Sequence, residues 1–193
     1  MRTRMRMRNV TGRLIATLAL LATTSAVAEE HPSPSPEAQA LIKELNTKDP
    51  YSRQAAFLRL EALREPATSQ AIRSYLTSKD ADTRAYSARA LAAIDGATAI
   101  PLLLDRVQHD RSPQVRAAAL LALEPIQDAT AIPVLIAALR DRDPDVRMAA
   151  VDIVSRIPIP QAREAILAMR RREHNRDVHR VLDDAVKRIT PSS

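Results

Sequence analysis

The 193-residue sequence predicts an all-α repeat protein, and three observations lead to this fold class. The chain holds only two glycines and four aromatic residues, whereas β-sheets favour aromatic and β-branched side chains. Residues that favour helix starts recur every 31 or 32 positions, which is typical of a repeat array. Each period also contains apolar residues at the three-and-four spacing of a buried helical stripe. We therefore expect about five repeated helix pairs.

The first 28 residues are predicted to be a cleaved secretory signal peptide. Residues 1–13 contain five arginines and no acidic residue, and a short apolar run follows over 14–22. Ala26 and Ala28 then supply the small residues that signal peptidase accepts, so cleavage is expected near Ala28. A retained anchor would need about 20 apolar residues. We expect no transmembrane segment in the mature form, and a periplasmic or secreted location.

Removal of this leader changes the charge balance of the chain. The full sequence has 29 basic and 23 acidic residues, and five of the basic residues lie in the leader. The mature chain therefore has 24 basic against 23 acidic residues, which argues against nucleic-acid binding, because such proteins keep a basic excess on the folded domain. The sequence contains no Cys, which excludes disulfides, Cys-based metal sites and thiol nucleophiles.

Residues 29–35, rich in Pro, Ser and Glu, are predicted to link the leader to a repeat domain spanning 36–190. The first helices of the pairs are predicted over 36–46, 67–77, 98–108, 130–140 and 160–171. Each second helix is predicted to start at an N-cap residue, and three of the five caps are followed by proline. These caps are Asp49, Asp80, Ser112, Asp143 and Asn175.

Counted from the cap, positions 7, 11 and 14 of each second helix are predicted to be buried, because they form one stripe along the helix. The stripes are Ala56, Leu60 and Leu63; Ser87, Leu91 and Ile94; Ala119, Leu123 and Ile126; Ala150, Val154 and Ile157; and Leu182, Val186 and Ile189.

The best-formed repeat resembles a known family. Residues 131–139 read AIPVLIAAL, and residues 143–147 read DPDVR. Together they resemble the HEAT repeats, most closely the short variety named from phycobilisome lyases. The resemblance covers about 35–190 and implies a right-handed α-solenoid, with the first helices on the convex side and the second helices on the concave side. The lyase activity of some relatives is not implied, because fold alone does not determine function.

The resemblance also implies a structural role for one arginine in each of four repeats. In such families, Asp and Arg residues of adjacent repeats form a ladder of charge-assisted hydrogen bonds along the stack. We expect this role for Arg53, Arg84, Arg116 and Arg147, paired with the neighbouring caps. The fifth repeat departs from the pattern, since His179 stands in the place of the arginine.

Two groups of residues superficially suggest metal binding. Residues 141–145 are spaced like the start of a calcium loop, but Val146 stands where that loop requires glycine. His174 and His179, near Glu173, are five positions apart and so do not share a helix face. We predict no metal ligand, cofactor or catalytic residue. The absence of motifs does not by itself exclude an enzyme, but no residue supports one, and we predict none.

The concave side is the main candidate binding surface. Positions 2, 5, 9 and 12 of the second helices are predicted to lie there, with seven acidic against three basic residues. The apolar residues of this stripe are predicted to anchor a partner. Its acidic residues are predicted to favour a partner that carries basic residues. The candidate binding residues are Tyr51, Leu58, Arg89, Leu121, Glu124, Asp145, Met148 and Asp152. A solvated helix face with incidental apolar residues fits the same pattern equally well.

Three functions remain open on this basis. The first is an exported protein–protein interaction module, expected to be a monomer, whose partner the sequence does not identify. The alternative is an enzyme or enzyme-associated domain of the lyase type, with a pocket on the concave face. The third is binding to an anionic polymer or membrane through basic residues such as Arg170–Arg172 near the C-terminus.

Overall fold

Residues 33–126 and 128–189, which this computed structural model describes, form five pairs of α-helices. The first helices are α1 (Pro36–Glu44), α3 (Ser69–Arg73), α5 (Ile100–His109), α7 (Ile132–Ala138) and α9 (Pro160–Arg170). The second helices are α2 (Pro50–Leu63), α4 (Ala81–Asp95), α6 (Pro113–Leu123), α8 (Pro144–Val154) and α10 (Arg176–Ile189). No strand occurs in this part of the chain. The predicted all-α solenoid of five helix pairs is confirmed. The leader, the start of the linker and Gln127 lie outside the described residues.

Four of the five predicted N-caps act through their side chains. Asp49, Asp80, Asp143 and Asn175 each accept a hydrogen bond from a backbone N–H in the first turn of the following helix. Ser112 occupies the N-cap position of α6, but its side chain makes no capping hydrogen bond. The capping prediction is therefore wrong for the Ser112 side chain, although the helix begins where expected.

The first helix of the second pair is more broken than the sequence predicts. The continuous helix expected over 67–77 is reduced to the five residues of α3, with a 3-10 turn on either side. The hydroxyl of Ser74 donates to the carbonyl of Ala71, and that of Thr77 donates to the carbonyl of Ser74. Such local hydrogen bonds from hydroxyl side chains compete with the α-helical ladder. They account for the tightened final turn.

The buried face of the second helices is wider than the predicted stripe. Positions 7 and 11 are buried in the first four repeats, but position 14 is only half-buried in all five. Position 8, which the stripe left out, is buried in the first four repeats, as Phe57, Ala88, Leu120 and Val151. The prediction missed it because each second helix packs not only against its own first helix but also against one or two neighbouring second helices.

The second helices form the inner layer of the solenoid. Each packs against the next along the whole stack, from α2 through α4, α6 and α8 to α10. Successive first helices touch much less, and α5 with α7 is the most extensive of their contacts. A stack is expected to curve towards its more closely packed layer, so the exposed surface of the second helices is the side that the resemblance implies to be concave. We call this surface the inner face.

One stretch, Ala81–His109, is long and apolar enough to cross a membrane by length and composition. In the structure it is not one rod, because α4 ends at Gly96, whose φ of 54° breaks the helix, and a 3-10 turn leads into α5. Leu91 and Leu103 from its two halves are fully buried in the core. Packing within the solenoid thus accounts for part of its apolar character.

Candidate functional site

Three ion pairs, one of them buried and two partly buried, connect repeats two to five. In repeats two, three and four, the arginine at the fourth position after the cap donates from Nε and Nη2 to both oxygens of one carboxylate in the next repeat. The pairs are Arg84 with Asp110, at 2.8 and 2.8 Å; Arg116 with Asp141, at 2.8 and 2.7 Å; and Arg147 with Glu173, at 2.8 and 3.0 Å. A bidentate pair of this kind fixes the relative orientation of the guanidinium and the carboxylate in addition to providing charge attraction. We call these three pairs the arginine ladder.

The remaining nitrogen of each arginine binds its own repeat. Nη1 of Arg116, for example, donates to the backbone carbonyl of Asp110 at 3.0 Å, in the loop between α5 and α6. Nη1 of Arg147 donates in the same way to the carbonyl of Asp141 at 2.9 Å. Each arginine therefore ties the loop within its own repeat to the equivalent loop of the next repeat.

The partners of the ladder differ from those expected. The arginines do not pair with the caps: the side chains of Asp143 and Asn175 bond to the first turn of their own helices, and that of Ser112 makes no capping hydrogen bond. Their partners lie two residues before the caps of repeats three, four and five: Asp110, Asp141 and Glu173. The same three carboxylates also accept the backbone N–H of the cap residue. An acid at a constant position before the cap was the sequence signal that could have revealed them.

Arg53 has no carboxylate partner in the ladder. The equivalent position of the second repeat is Ser78, which cannot form an ion pair. Arg53 instead donates to the carbonyl of Leu45 at 3.2 Å, the carbonyl of Thr47 and the hydroxyl of Thr83 at 3.3 Å. At this edge the first repeat is thus joined to the second by a hydrogen bond from Arg53 to an uncharged hydroxyl, and not by an ion pair.

The surroundings of the arginine ladder shift the pKa values of its three carboxyl groups. Burial alone would raise the pKa of Asp110, Asp141 and Glu173, since it disfavours the charged form. Hydrogen bonds from the paired arginine and from the cap backbone N–H outweigh this effect and hold each pKa below its usual range. The ladder is therefore charged at neutral pH.

The inner face carries all three large apolar side chains that are exposed among residues 33–126 and 128–189. They are Tyr51, which is 79% exposed, Leu58 at 40% and Leu121 at 49%. All three belong to the predicted binding stripe. A single exposed leucine is ordinary, but exposed apolar residues confined to one face are typical of interaction surfaces.

A groove of about 1030 Å³ crosses this inner face. It extends from Glu61 at the end of α2, over α4 and α6, to Asp145 in the first turn of α8. Its floor is small and apolar, formed by Ala92, Ala93, Ala117, Ala118 and Ala122. We call it the inner groove. Three of the predicted binding residues, Arg89, Leu121 and Asp145, line it together.

The other five predicted binding residues do not line the inner groove. Tyr51 lines a separate cleft of about 170 Å³ between α2 and α4, and Glu124 lines one of about 360 Å³ beside α7. Leu58 is exposed but outside both clefts. Met148 is half-buried and packs against the core, so it presents less apolar surface than Tyr51, Leu58 or Leu121.

The acidic surplus expected on the inner face is largely neutralised. Arg156, which the predicted stripe did not include, bonds both Glu124 and Asp152, and Arg188 lies 3.5 Å from Asp152. Arg89 bonds Glu61 at 3.3 Å. Asp152 is therefore unsuited to the steering role expected of it. The sequence pattern missed this compensation because the arginines come from other positions and repeats.

Asp145 is different from the other acids of the inner face. Its side chain is exposed and makes no hydrogen bond or ion pair within the described part of the chain. Asp82 accepts a hydrogen bond from Gln114 at 2.7 Å. Asp145 therefore provides an exposed negative charge without an ion pair in the described residues at the end of the inner groove, next to the Asp143 cap.

The residues that superficially suggested metal binding have other roles. Asp141 is paired with Arg116, and Asp143 caps α8. Glu173 is occupied by Arg147, while His179 lies 3.6 Å from Asp183 on the same helix. Within the described residues, no group of three or more His, Cys, Asp or Glu side chains is placed to hold a metal ion.

These repeats identify the class of protein. The family model for HEAT repeats matches residues 38–124 and again residues 100–186, so the chain belongs to the HEAT-repeat family. Its fold is similar to that of a solved chain from the complex of CpcE and CpcF of phycocyanin lyase from Nostoc sp. PCC7120. The TM-score is 0.65 and the identity 23%, over 77% of this chain and 96% of that chain. No curated protein matches the sequence.

Proposed function

We propose that this protein is an exported interaction module that binds another protein through the inner groove. The observation that carries this proposal is the confinement of the exposed large apolar residues to the inner face, where Leu121 lies within a groove of about 1030 Å³. Repeat proteins commonly bind through extended concave surfaces of this kind. The solved relative was determined as a complex of two proteins, which is compatible with this role.

The groove indicates the chemistry of its partner. Leu121 and the alanine floor suit a segment that presents aliphatic side chains. Asp145 at one end has no counter-charge among the described residues, so it favours a lysine or arginine on the partner. The partner segment is therefore expected to combine an apolar residue with a basic one.

Substitution of the groove residues tests this role. Leu121→Ser should weaken partner binding at least about tenfold, because central apolar contacts dominate interfaces. Asp145→Lys should weaken binding chiefly by slowing association. Binding can be measured by capture with a photo-crosslinker placed in the groove, followed by kinetics with the identified partner.

Glu164→Lys is the matched control for Asp145→Lys. Glu164 is also exposed, also without an ion pair in the described residues, and lies on α9 in the outer layer. This control should bind like the wild type, and all variants should keep the helical circular dichroism signal. Equal binding by Leu121→Ser, Asp145→Lys and the wild type would exclude the inner groove as the site.

Export is a separate part of the proposal. The basic residues 1–13, the apolar run over 14–22 and the small residues before Glu29 support it. Protein recovered from the periplasm or medium is expected to begin at Glu29, which N-terminal sequencing would measure. A product that begins at Met1 in the membrane fraction would contradict the assignment of a cleaved leader.

The lyase-type alternative rests on the name of the solved relative, which at 23% identity is similar in fold alone. Within the inner groove, Arg89 and Glu61 are bonded to each other, and Asp143 caps α8. An activity that requires Asp145 but tolerates Leu121→Ser would favour this alternative over a docking role.

A further inference from the structure

A second cleft lies on the opposite, outer layer, between α7 and α9. Its volume is about 700 Å³, within the range of small-molecule sites, which is roughly 300–1,000 Å³. The first helices contact each other sparsely, and this cleft occupies the space between two of them. We call it the outer cleft. It shares no lining residue with the inner groove, so an inference about it goes beyond the proposed function.

The floor of the outer cleft is aliphatic. Leu139 and Met169 form its buried part, and Ile136, Ala165 and Ala168 are half-buried at its sides. Backbone carbonyls at the C-terminal ends of α7 and α9, among them those of Ala137, Ala138 and Met169, accept backbone N–H groups of the turns that follow. The floor therefore offers apolar contact but few hydrogen-bond partners.

The rim of the outer cleft is cationic. Arg140 and Arg172 occupy the same position in consecutive repeats, three residues before the cap, and both are exposed. Within the described residues neither forms an ion pair, and the one hydrogen bond from these two side chains joins Arg172 Nε to the carbonyl of Ala168, at 3.3 Å. The guanidinium Nη atoms of both residues are therefore available to a ligand.

The other charges of the outer cleft are already matched. Arg147 is bonded to Glu173, and Asp141 is bonded to Arg116, as members of the arginine ladder. The carboxylates of Asp141 and Glu173 therefore bond to the ladder arginines and do not neutralise Arg140 and Arg172. The cleft thus combines an aliphatic floor with two arginines that have no acidic partner among the described residues.

We propose that the outer cleft binds an amphiphilic anion: an aliphatic chain with a single carboxylate or phosphate head. The head would lie between Arg140 and Arg172, because guanidinium groups donate paired hydrogen bonds to such oxygens. The chain would lie on the floor between α7 and α9. An extended peptide fits less well, since its backbone N–H and C=O groups would lose water without gaining partners on an aliphatic floor. An alkyl chain carries no such groups.

Dodecanoate, used below the concentration at which it forms micelles, is a suitable probe. Titration calorimetry should detect its binding, with at least tenfold weaker binding of acetate, which lacks the chain, and of dodecyltrimethylammonium, which reverses the head charge. Arg140→Glu combined with Arg172→Glu should weaken dodecanoate binding at least tenfold. Lys43→Glu combined with Lys48→Glu is the matched control, since both lysines are exposed and without ion pairs in the described residues.

A second measurement does not depend on whether the variants fold. In the wild type, the methyl NMR signal of Met169 should shift on addition of dodecanoate, and that of Met148, which is not among the residues lining the cleft, should not. Equal affinity for acetate, equal affinity for dodecyltrimethylammonium, or an unmoved Met169 signal would each overturn the proposal. So would displacement of dodecanoate by an acidic peptide of higher affinity, which would make the cleft a peptide site.

Discussion

Arg116→Ala is expected to lower the free energy of unfolding by about 3 kcal/mol, because it removes a buried cation and leaves its partner uncompensated. The Arg116 side chain is 4% exposed and that of Asp141 13%. The substitution removes the two hydrogen bonds to Asp141 and the bond to the carbonyl of Asp110. The middle of the stack loses its connection between repeats three and four at this edge. Denaturant unfolding followed by circular dichroism would measure the change.

Arg59→Ala is the matched control. Arg59 also forms an ion pair, with Glu37 at 2.8 Å, but the two side chains are 60% and 51% exposed. Exposed pairs typically contribute less than about 1 kcal/mol. If Arg116→Ala were no more destabilising than Arg59→Ala, the ladder would not be a main source of stability, and a role for Arg116 in ligand contact would become the better explanation.

The ladder also predicts the response to acid. Because the folded-state pKa values of Asp110, Asp141 and Glu173 are depressed, their stabilising effect is complete above the unfolded-state values near 4. It is lost as pH falls below about 4 and these groups take up protons. The Arg116→Ala variant should lose less stability over this pH range than the wild type, since it already lacks the contribution of the Asp141 ion pair to the free energy of unfolding.

Ser78→Asp is expected to raise the free energy of unfolding by about 1.5 kcal/mol, because it supplies a carboxylate to Arg53. Ser78 occupies the position that holds Asp110, Asp141 or Glu173 in the later repeats. Its hydroxyl already accepts the backbone N–H of Asp80 at 3.2 Å, a bond that an aspartate can also accept. The ladder would then extend to the first repeat. Thermal or denaturant unfolding of the variant would measure the gain.

Thr47→Asp is the matched control for this gain. Thr47 stands at the same position of the first repeat and likewise accepts the backbone N–H of its cap, Asp49, at 3.2 Å. Among the described residues, no arginine of another repeat is placed to pair with the Thr47 side chain, and Arg53 of its own repeat bonds the Thr47 backbone carbonyl. Its substitution should leave stability nearly unchanged. A gain of equal size in both variants would mean that the aspartate acts on its own loop and not through Arg53.

Local sequence determined where each second helix begins. Asp49, Asp80, Asp143 and Asn175 cap their helices by contacts within three residues, so the pattern of caps was sufficient to predict them. The apolar residues at positions 7 and 11 were equally predictable, because a helical stripe is a property of one helix. The period of 31 or 32 residues then determined the number of helix pairs.

Only the tertiary structure decided what lies between repeats. The partner of Arg116 is 25 residues away, at Asp141, and Arg156 compensates Glu124 from 32 residues away. Periodicity places such residues in the same register but does not say which side chains meet, because that depends on the spacing and curvature of the stacked helices. For the same reason the sequence predicted the exposure of Tyr51 and Leu121, on the free side of their helices, but did not predict that Met148 packs inwards. It also gave no sign of the outer cleft, whose walls are two helices that lie apart in the chain and are brought side by side only by stacking.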